Sequence, residues 1–325
     1  MPEMNYREAM NRALREALDE NETAYIMGED IGPYGGTYAV TRGLYDEYGP
    51  SRIKDAPLSE SVIVGAGIGS AIVGMKPIIE IMTINFSLLA MDQIVNHAAK
   101  LRYMSAGQIE IPLIIRMVTG GGAQLGATHS QNFEGWFASV PGLTVVAPAT
   151  PYDALGLFRA SRDTRDPVIF VEHALLYSLR GDVPEEHYMV PIGRADVKKS
   201  GKDVTIVSHS RMVHVAMGAA QELEQIGISV EIVDLRSLRP LDMDTVIKSV
   251  EKTHNAIVLE ETWKTGGFGG EIASQIVELG FNFLDSPVMR IGGEDVPAPY
   301  THVLEGLAFP DIGRVVKGVR SLLDR

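Results

Sequence analysis

Two short segments carry side chains able to move protons. Pro57-Leu58-Ser59-Glu60-Ser61 sets a carboxylate directly before a strongly apolar run. A carboxylate at a helix start is ordinarily a partner for the helix dipole. If buried, its pKa rises and it can share a proton. Thr128-His129-Ser130-Gln131 sets an imidazole among hydroxyls and an amide, soon after Gly120-Gly121-Gly122. Such a histidine either transfers protons near neutral pH or sits on a surface loop. The glycine triplet lacks the Gly-Lys-Ser/Thr ending of a phosphate loop, and reads equally as an active-site loop or as a plain turn. His97, His173, His187, His209, His214, His254 and His302 show no paired metal-ligand spacing and read as structural or solvated. Neither His-Glu-x-x-His nor Gly-x-Ser-x-Gly occurs, which argues against a zinc protease and an α/β-hydrolase.

The segment Val62-Ile63-Val64-Gly65-Ala66-Gly67-Ile68-Gly69-Ser70 imitates a dinucleotide fingerprint. Its third glycine position falls on Ser70, and the later acidic residue is poorly placed. A helix packed closely through small residues is the better reading. An NAD-dependent dehydrogenase stays as the distant alternative.

The elements that must position these groups follow from periodicity. Asn5 and Glu8 form a capping box, followed by an apolar stripe at Met10, Ala13, Leu14, Ala17 and Leu18. Strands are expected at Ala24–Gly28, Lys76–Met82, Leu113–Val118, Thr144–Ala147 and Val168–Glu172. Helices are expected from Ser59 to Val73, over Ser87–Met104, and after Thr150. Strands alternating with helices point to an α/β fold with a mostly parallel sheet covered on both faces. Leu175 to Lys202 reads as an interdomain connection. A second α/β series then runs from Val204 to Leu323. The expected domains are 1–190 and 191–325.

Composition narrows the function classes. The 325 residues exceed what one core usually serves, so two domains are expected. A net charge of −13 repels phosphate backbones and argues against nucleic acid as a partner. With no cysteine, disulfides and thiolate metal sites are excluded. The apolar runs are too short and glycine-rich for a membrane span. Met1 to Tyr6 shows no signal-peptide pattern, so a cytoplasmic protein is expected, or a mitochondrial-matrix or plastid one in processed form.

Taken together, the segments resemble β subunits of 2-oxo acid dehydrogenase E1 components over nearly the whole chain. The likeness runs through Gly28-Glu29-Asp30-Ile31-Gly32, Asp55-Ala56-Pro57-Leu58-Ser59-Glu60 and Met82-Thr83-Ile84-Asn85-Phe86-Ser87. It continues in His129-Ser130-Gln131, Pro141-Gly142-Leu143, Ser208-His209-Ser210-Arg211 and Arg239-Pro240-Leu241-Asp242. Phe281-Asn282-Phe283-Leu284-Asp285 and Asp295-Val296-Pro297-Ala298-Pro299-Tyr300 are similar to the pyruvate-specific members. Acetoin and branched-chain 2-oxo acid enzymes are the alternatives within the class.

The resemblance implies a thiamine-diphosphate-binding pyrimidine-type domain followed by a transketolase C-terminal-type domain. It implies an α2β2 heterotetramer in which an E1 α subunit holds the diphosphate and Mg2+ through a Gly-Asp-Gly motif. Gly28-Glu29-Asp30, Gly181-Asp182-Val183 and Gly293-Glu294-Asp295 all fail that motif, as a β subunit should. By resemblance, Glu60 contacts the pyrimidine nitrogen N1′ and shares a proton there, Phe86 stacks on that ring, and Met82 lies near the pocket. His129 matches the active-site histidine at the substrate end. The acetyl unit would pass to a lipoyl group on an E2 acyltransferase. Positions matching a structural potassium site in some members are Leu113, Ser161, Arg162, Thr164 and Asp166. Thr164 stands where aspartate is common, and Asp166 where asparagine is.

Overall fold

The computed structural model describes residues 2–324. Its contacts divide the chain into two units. Met1–Thr119 with Trp136–Ile192 form one, and Gly120–Gly135 with Gly193–Arg325 form the other.

In the first unit, parallel strands lie in the spatial order Thr144–Val146, Val168–His173, Ile114–Thr119, Lys76–Ile81, Ala24–Gly28, Ile53–Asp55. The central strands are buried along their length, as expected for a sheet covered on both faces. The first helix, Tyr6–Glu20, starts at the expected capping box. Asn5 Oδ1 accepts from the Glu8 amide at 2.9 Å, and Glu8 Oε2 accepts from the Asn5 amide at 2.8 Å. Its apolar stripe is buried against the Pro151–Arg162 helix. There Arg159 donates to both Glu16 oxygens at 2.7 Å.

The glycine run belongs to the helix Glu60–Ile72. A Cβ on Gly67 would sit 2.8 Å from Ile79 Cγ1, so a side chain there would force this helix off the sheet. Close helix–sheet packing accounts for Gly67, whereas a Cβ on Gly69 would meet nothing within 4 Å.

Two expectations need correction. The long helix over Ser87–Met104 is not one regular element. A 3-10 helix covers Ile84–Ala90, a π-helical stretch covers Gln93–Ala98, and an α-helix runs from Ala99 to Met104. The apolar and small residues here tolerate i+3, i+4 and i+5 closure alike, so spacing could not tell these windings apart. The presumed connection Leu175–Lys202 also holds structure. Arg180–Asp182 pairs antiparallel with Glu3–Asn5, and Tyr188 stacks on Tyr152 with centroids 4.3 Å apart.

The second unit carries a sheet ordered Met289–Gly293, Ala256–Trp263, Val204–Ser208, Val230–Asp234, Asp196–Lys199, parallel except for the last. That edge strand is polar and only half-buried, so it offers little alternation to read. Helices Arg211–Glu224, Met243–Thr253, Gly269–Gly280 and Ile312–Leu322 accompany the sheet.

Candidate active site

Parallel sheets bind ligands at the carboxyl ends of their strands. In the first unit that edge collects the acids and the aromatic. Glu29 follows the Ala24–Gly28 strand by one residue. Glu60 opens the helix reached from the Ile53–Asp55 strand. Met82 directly follows the Lys76–Ile81 strand, and Phe86 lies in the 3-10 helix after it. The Glu60–Ile72 helix packs on both that strand and that 3-10 helix, which brings Glu60, Met82 and Phe86 onto neighbouring elements. Met82 and Phe86 are half-buried.

Glu60 is only 7% exposed, although Leu58 two residues earlier is 81% exposed. This inverts the order hydropathy alone would set. Among the described residues its carboxylate has no hydrogen-bond partner within the chain. The residue is largely buried while its carboxylate oxygens still reach the surface, so they are open to a polar group from outside the chain.

Glu29 was not among the expected site residues, yet it is buried beside Glu60, and neither of its oxygens makes a well-formed hydrogen bond. Burial raises its pKa, and the charge of Glu60 raises it further. The nearby Ser59 amide pulls the other way. Its only sequence signal is an acid one step past a buried strand. A raised acid binds its proton more tightly in the folded state than in the unfolded state. Stability therefore falls as pH rises from the unfolded pKa through the folded one, and the penalty is complete above both. Glu29→Gln removes that penalty. Melts of the chain should show the variant higher by roughly 1–3 °C at pH 8, and equal to the wild type once both carboxyls are protonated in acid. Coincident melts at pH 8 would contradict this reading.

Beneath this edge Arg116 is fully buried between two acids. It donates to Glu80 at 2.6 Å and to Glu172 at 2.7 Å, and the Tyr177 hydroxyl donates to Glu172 at 3.1 Å. These bonds tie the Lys76–Ile81, Ile114–Thr119 and Val168–His173 strands together just below their carboxyl ends.

His129 groups with the second unit. It is exposed, its amide donates to the Gly126 carbonyl at 3.2 Å, and its Nδ1 lies 3.0 Å from Thr128 Oγ1. His209, which reads from sequence as structural or solvated, is buried and lies 3.4 Å from Glu134. Burial lowers its pKa, but Glu134 together with the charges of Glu260 and Asp234 outweighs this and the net shift is upward.

The potassium positions lie at the opposite, amino edge of the first sheet. Thr164 Oγ1 is 3.0 Å from the Ser161 carbonyl and 2.9 Å from the Asp166 carbonyl. The Leu113 carbonyl accepts from the Val168 amide at 2.9 Å. The Asp166 carboxylate pairs with Arg102, and Arg162 pairs with Glu20 at 3.1 Å. Three oxygens meet at this turn, the Thr164 hydroxyl already bonded to the two carbonyls. A cavity of about 390 Å³, lined by Glu20, Lys76, Pro112 and Arg162, also opens at this edge, away from Glu60. We assign the chemistry to the carboxyl edge, where the unpartnered acids are.

Known proteins share this fold and much of this sequence. The transketolase pyrimidine binding domain matches residues 2–179, and the transketolase C-terminal domain matches residues 193–315. Fold and site thus define a two-domain chain of the transketolase-like class, whose cofactor is thiamine diphosphate. Pyruvate dehydrogenase E1 component subunit beta-1, mitochondrial, of Arabidopsis thaliana is 46% identical over 319 residues, 97% of this chain and 88% of that protein. Pyruvate dehydrogenase E1 component subunit beta of Gracilaria tenuistipitata var. liui is 44% identical over 315 residues, 96% of this chain and 98% of that protein. The chain belongs to the pyruvate dehydrogenase E1 component β-subunit family. A solved structure, a split gene transketolase described as an inactive beta4 tetramer, shares the fold with a TM-score of 0.80 at 24% identity, covering 99% of this chain and 98% of that one. Among the described residues no helix is long and apolar enough to cross a membrane.

Proposed function

We propose that this chain is the β half of an E1 enzyme that oxidatively decarboxylates pyruvate and passes the acetyl group to a lipoyl group on E2. Its partner is an E1 α subunit, in an α2β2 assembly. The observation that carries the reading is the unpartnered Glu60 carboxylate on a largely buried residue at the carboxyl edge, in a chain this similar to E1 β subunits.

Thiamine diphosphate, when bound, supplies the electron sink that a 2-oxo acid needs to lose carbon dioxide. The residues of this chain serve its pyrimidine end. Glu60 would hold a proton at a ring nitrogen. Phe86 walls the ring and excludes water, with Met82 beside it. His129 moves a proton as the acetyl group is handed over. The diphosphate and Mg2+ belong to the α subunit.

Ser161, Thr164 and Asp166 would supply oxygen ligands to a potassium ion, with the carbonyls of Leu113 and Arg162 completing the shell. A ligand that binds only the folded state raises its melting temperature. The chain should therefore melt higher in KCl than in choline chloride at equal ionic strength. Identical melts would dismiss the ion.

The test of the function is co-expression with the α subunit from the same genome, followed by assays with pyruvate, acetoin and 3-methyl-2-oxobutanoate. Pyruvate should be the preferred substrate. Preference for either of the others would move the chain to another branch, and inactivity on all three would reject the reading.

A further inference from the structure

The loop before His129 has no regular structure to satisfy its own amides. Gly120, Gln124 and Gly126 have φ of 98°, 57° and 78°, and Gly122 has φ of 89°, all in the left-handed region. Amides in such a segment need acceptors from elsewhere. Two buried acids supply them. The Gly121 amide donates to Glu261 Oε1 at 2.7 Å. The Gly122 amide donates to Glu305 Oε1 at 3.0 Å, and the Gln124 amide reaches both Glu305 oxygens at 3.1 Å.

The two acids are not equivalent. Glu261, on the Ala256–Trp263 strand, also pairs with Arg211 at 3.3 Å. Glu305, in the His302–Ala308 helix, is 2% exposed and makes no ion pair among the described residues. A buried carboxylate with no cation is expensive unless amides compensate it. Here the compensation is the loop itself, so loop and acid hold each other in place. The same surroundings leave little room for rearrangement. A Cβ on Gly121 would fall 2.2 Å from the Phe309 ring, and one on Gly126 would fall 3.3 Å from the Tyr300 ring. Three residues past Gly126 stands His129, whose amide bonds back to the Gly126 carbonyl.

We propose that Glu305 is a positioning residue for His129. Its carboxylate, seconded by Glu261, fixes the Gly120–Gly126 loop and thereby sets where the imidazole is presented. The inference rests on the reading of His129 as the acyl-transfer histidine. An ionised carboxylate has acceptors for both amides at once, whereas a glutamine turns an N–H2 group toward one of them. Glu305→Gln should therefore be intermediate, and Glu305→Ala should release the loop.

The test uses the complex with the α subunit, as wild type, Glu305→Gln, Glu305→Ala, His129→Ala and the Glu305→Ala/His129→Ala double variant. Amide hydrogen exchange over residues 121–129 should speed up by about tenfold or more in Glu305→Ala. Exchange in the Val204–Ser208 strand should stay as in wild type, which separates loop release from misfolding. Activity is read twice, as acetyl transfer to a lipoylated domain and as pyruvate oxidation with ferricyanide. Glu305→Ala should lower the ratio of transfer to ferricyanide turnover by about tenfold or more, with Glu305→Gln between. The double variant should be no worse than His129→Ala alone. Unchanged loop exchange, or an equal loss in both assays, would overturn the proposal. If wild-type complex turns over pyruvate in neither assay, the enzymatic reading fails, and exchange alone decides whether Glu305 holds the loop.

Discussion

Glu60→Gln, in complex with the α subunit, should lower pyruvate turnover by roughly a hundred- to ten-thousandfold, the usual worth of a positioned acid–base group. Glutamine keeps the size and shape of the side chain and fills the same buried site. On the reading proposed above, what it loses is the ability to hold and return a proton at the pyrimidine. The fold should not suffer, because the substitution also removes a negative charge that bears on Glu29. Thermal melts should thus show the variant at least as stable as the wild type at neutral pH. Loss of turnover with stability retained separates chemistry from folding. A subunit serving only as a scaffold would give a variant with wild-type turnover, and that result would end the catalytic reading of Glu60.

The second large effect concerns the chain by itself. Purified alone, it should show no pyruvate decarboxylation above background and should bind thiamine diphosphate weakly in calorimetry. This chain is read as serving only the pyrimidine end of the cofactor. The sequence offers no Gly-Asp-Gly motif for the diphosphate. Among the described residues no group of three or more His, Asp or Glu is placed to hold a metal ion. Charged phosphates bound without a metal or a cationic cradle lose most of their binding energy to competition from water. Adding the α subunit should restore both binding and turnover. Strong binding and full activity of the isolated chain would mean that it carries a whole site, contrary to the division of labour proposed above.

Much of the scaffold was legible because local physics and tertiary structure agree there. The capping box at Asn5 and Glu8 and the stripe behind it are found as expected, since both rest on spacing within one helix. The glycine run lies in the Glu60–Ile72 helix as expected, and of its glycines Gly67 packs closely on the sheet while Gly69 faces open space. Other features fail as signals for physical reasons. In the His302–Ala308 helix the usual pattern is inverted. Val303, Leu304 and Leu307 are exposed while Glu305 is buried, so periodicity hides both the helix and its acid. Glu60 and Glu29 are similar cases. Position marks Glu60 only as a helix-start carboxylate and marks Glu29 hardly at all. Their burial is set by strands distant in sequence, and local pattern cannot report it. For the same reason the shift in His209 stayed hidden until Glu134, 75 positions away, was found beside it.

The most direct measurement is a structure of the complex of this chain with the α subunit and thiamine diphosphate. The expected result is a Glu60 carboxylate oxygen within hydrogen-bond range, about 2.5–3.0 Å, of a pyrimidine nitrogen, with the Phe86 ring against the same pyrimidine. A cofactor bound with Glu60 facing bulk water, or with its pyrimidine held wholly by the other subunit, would contradict it.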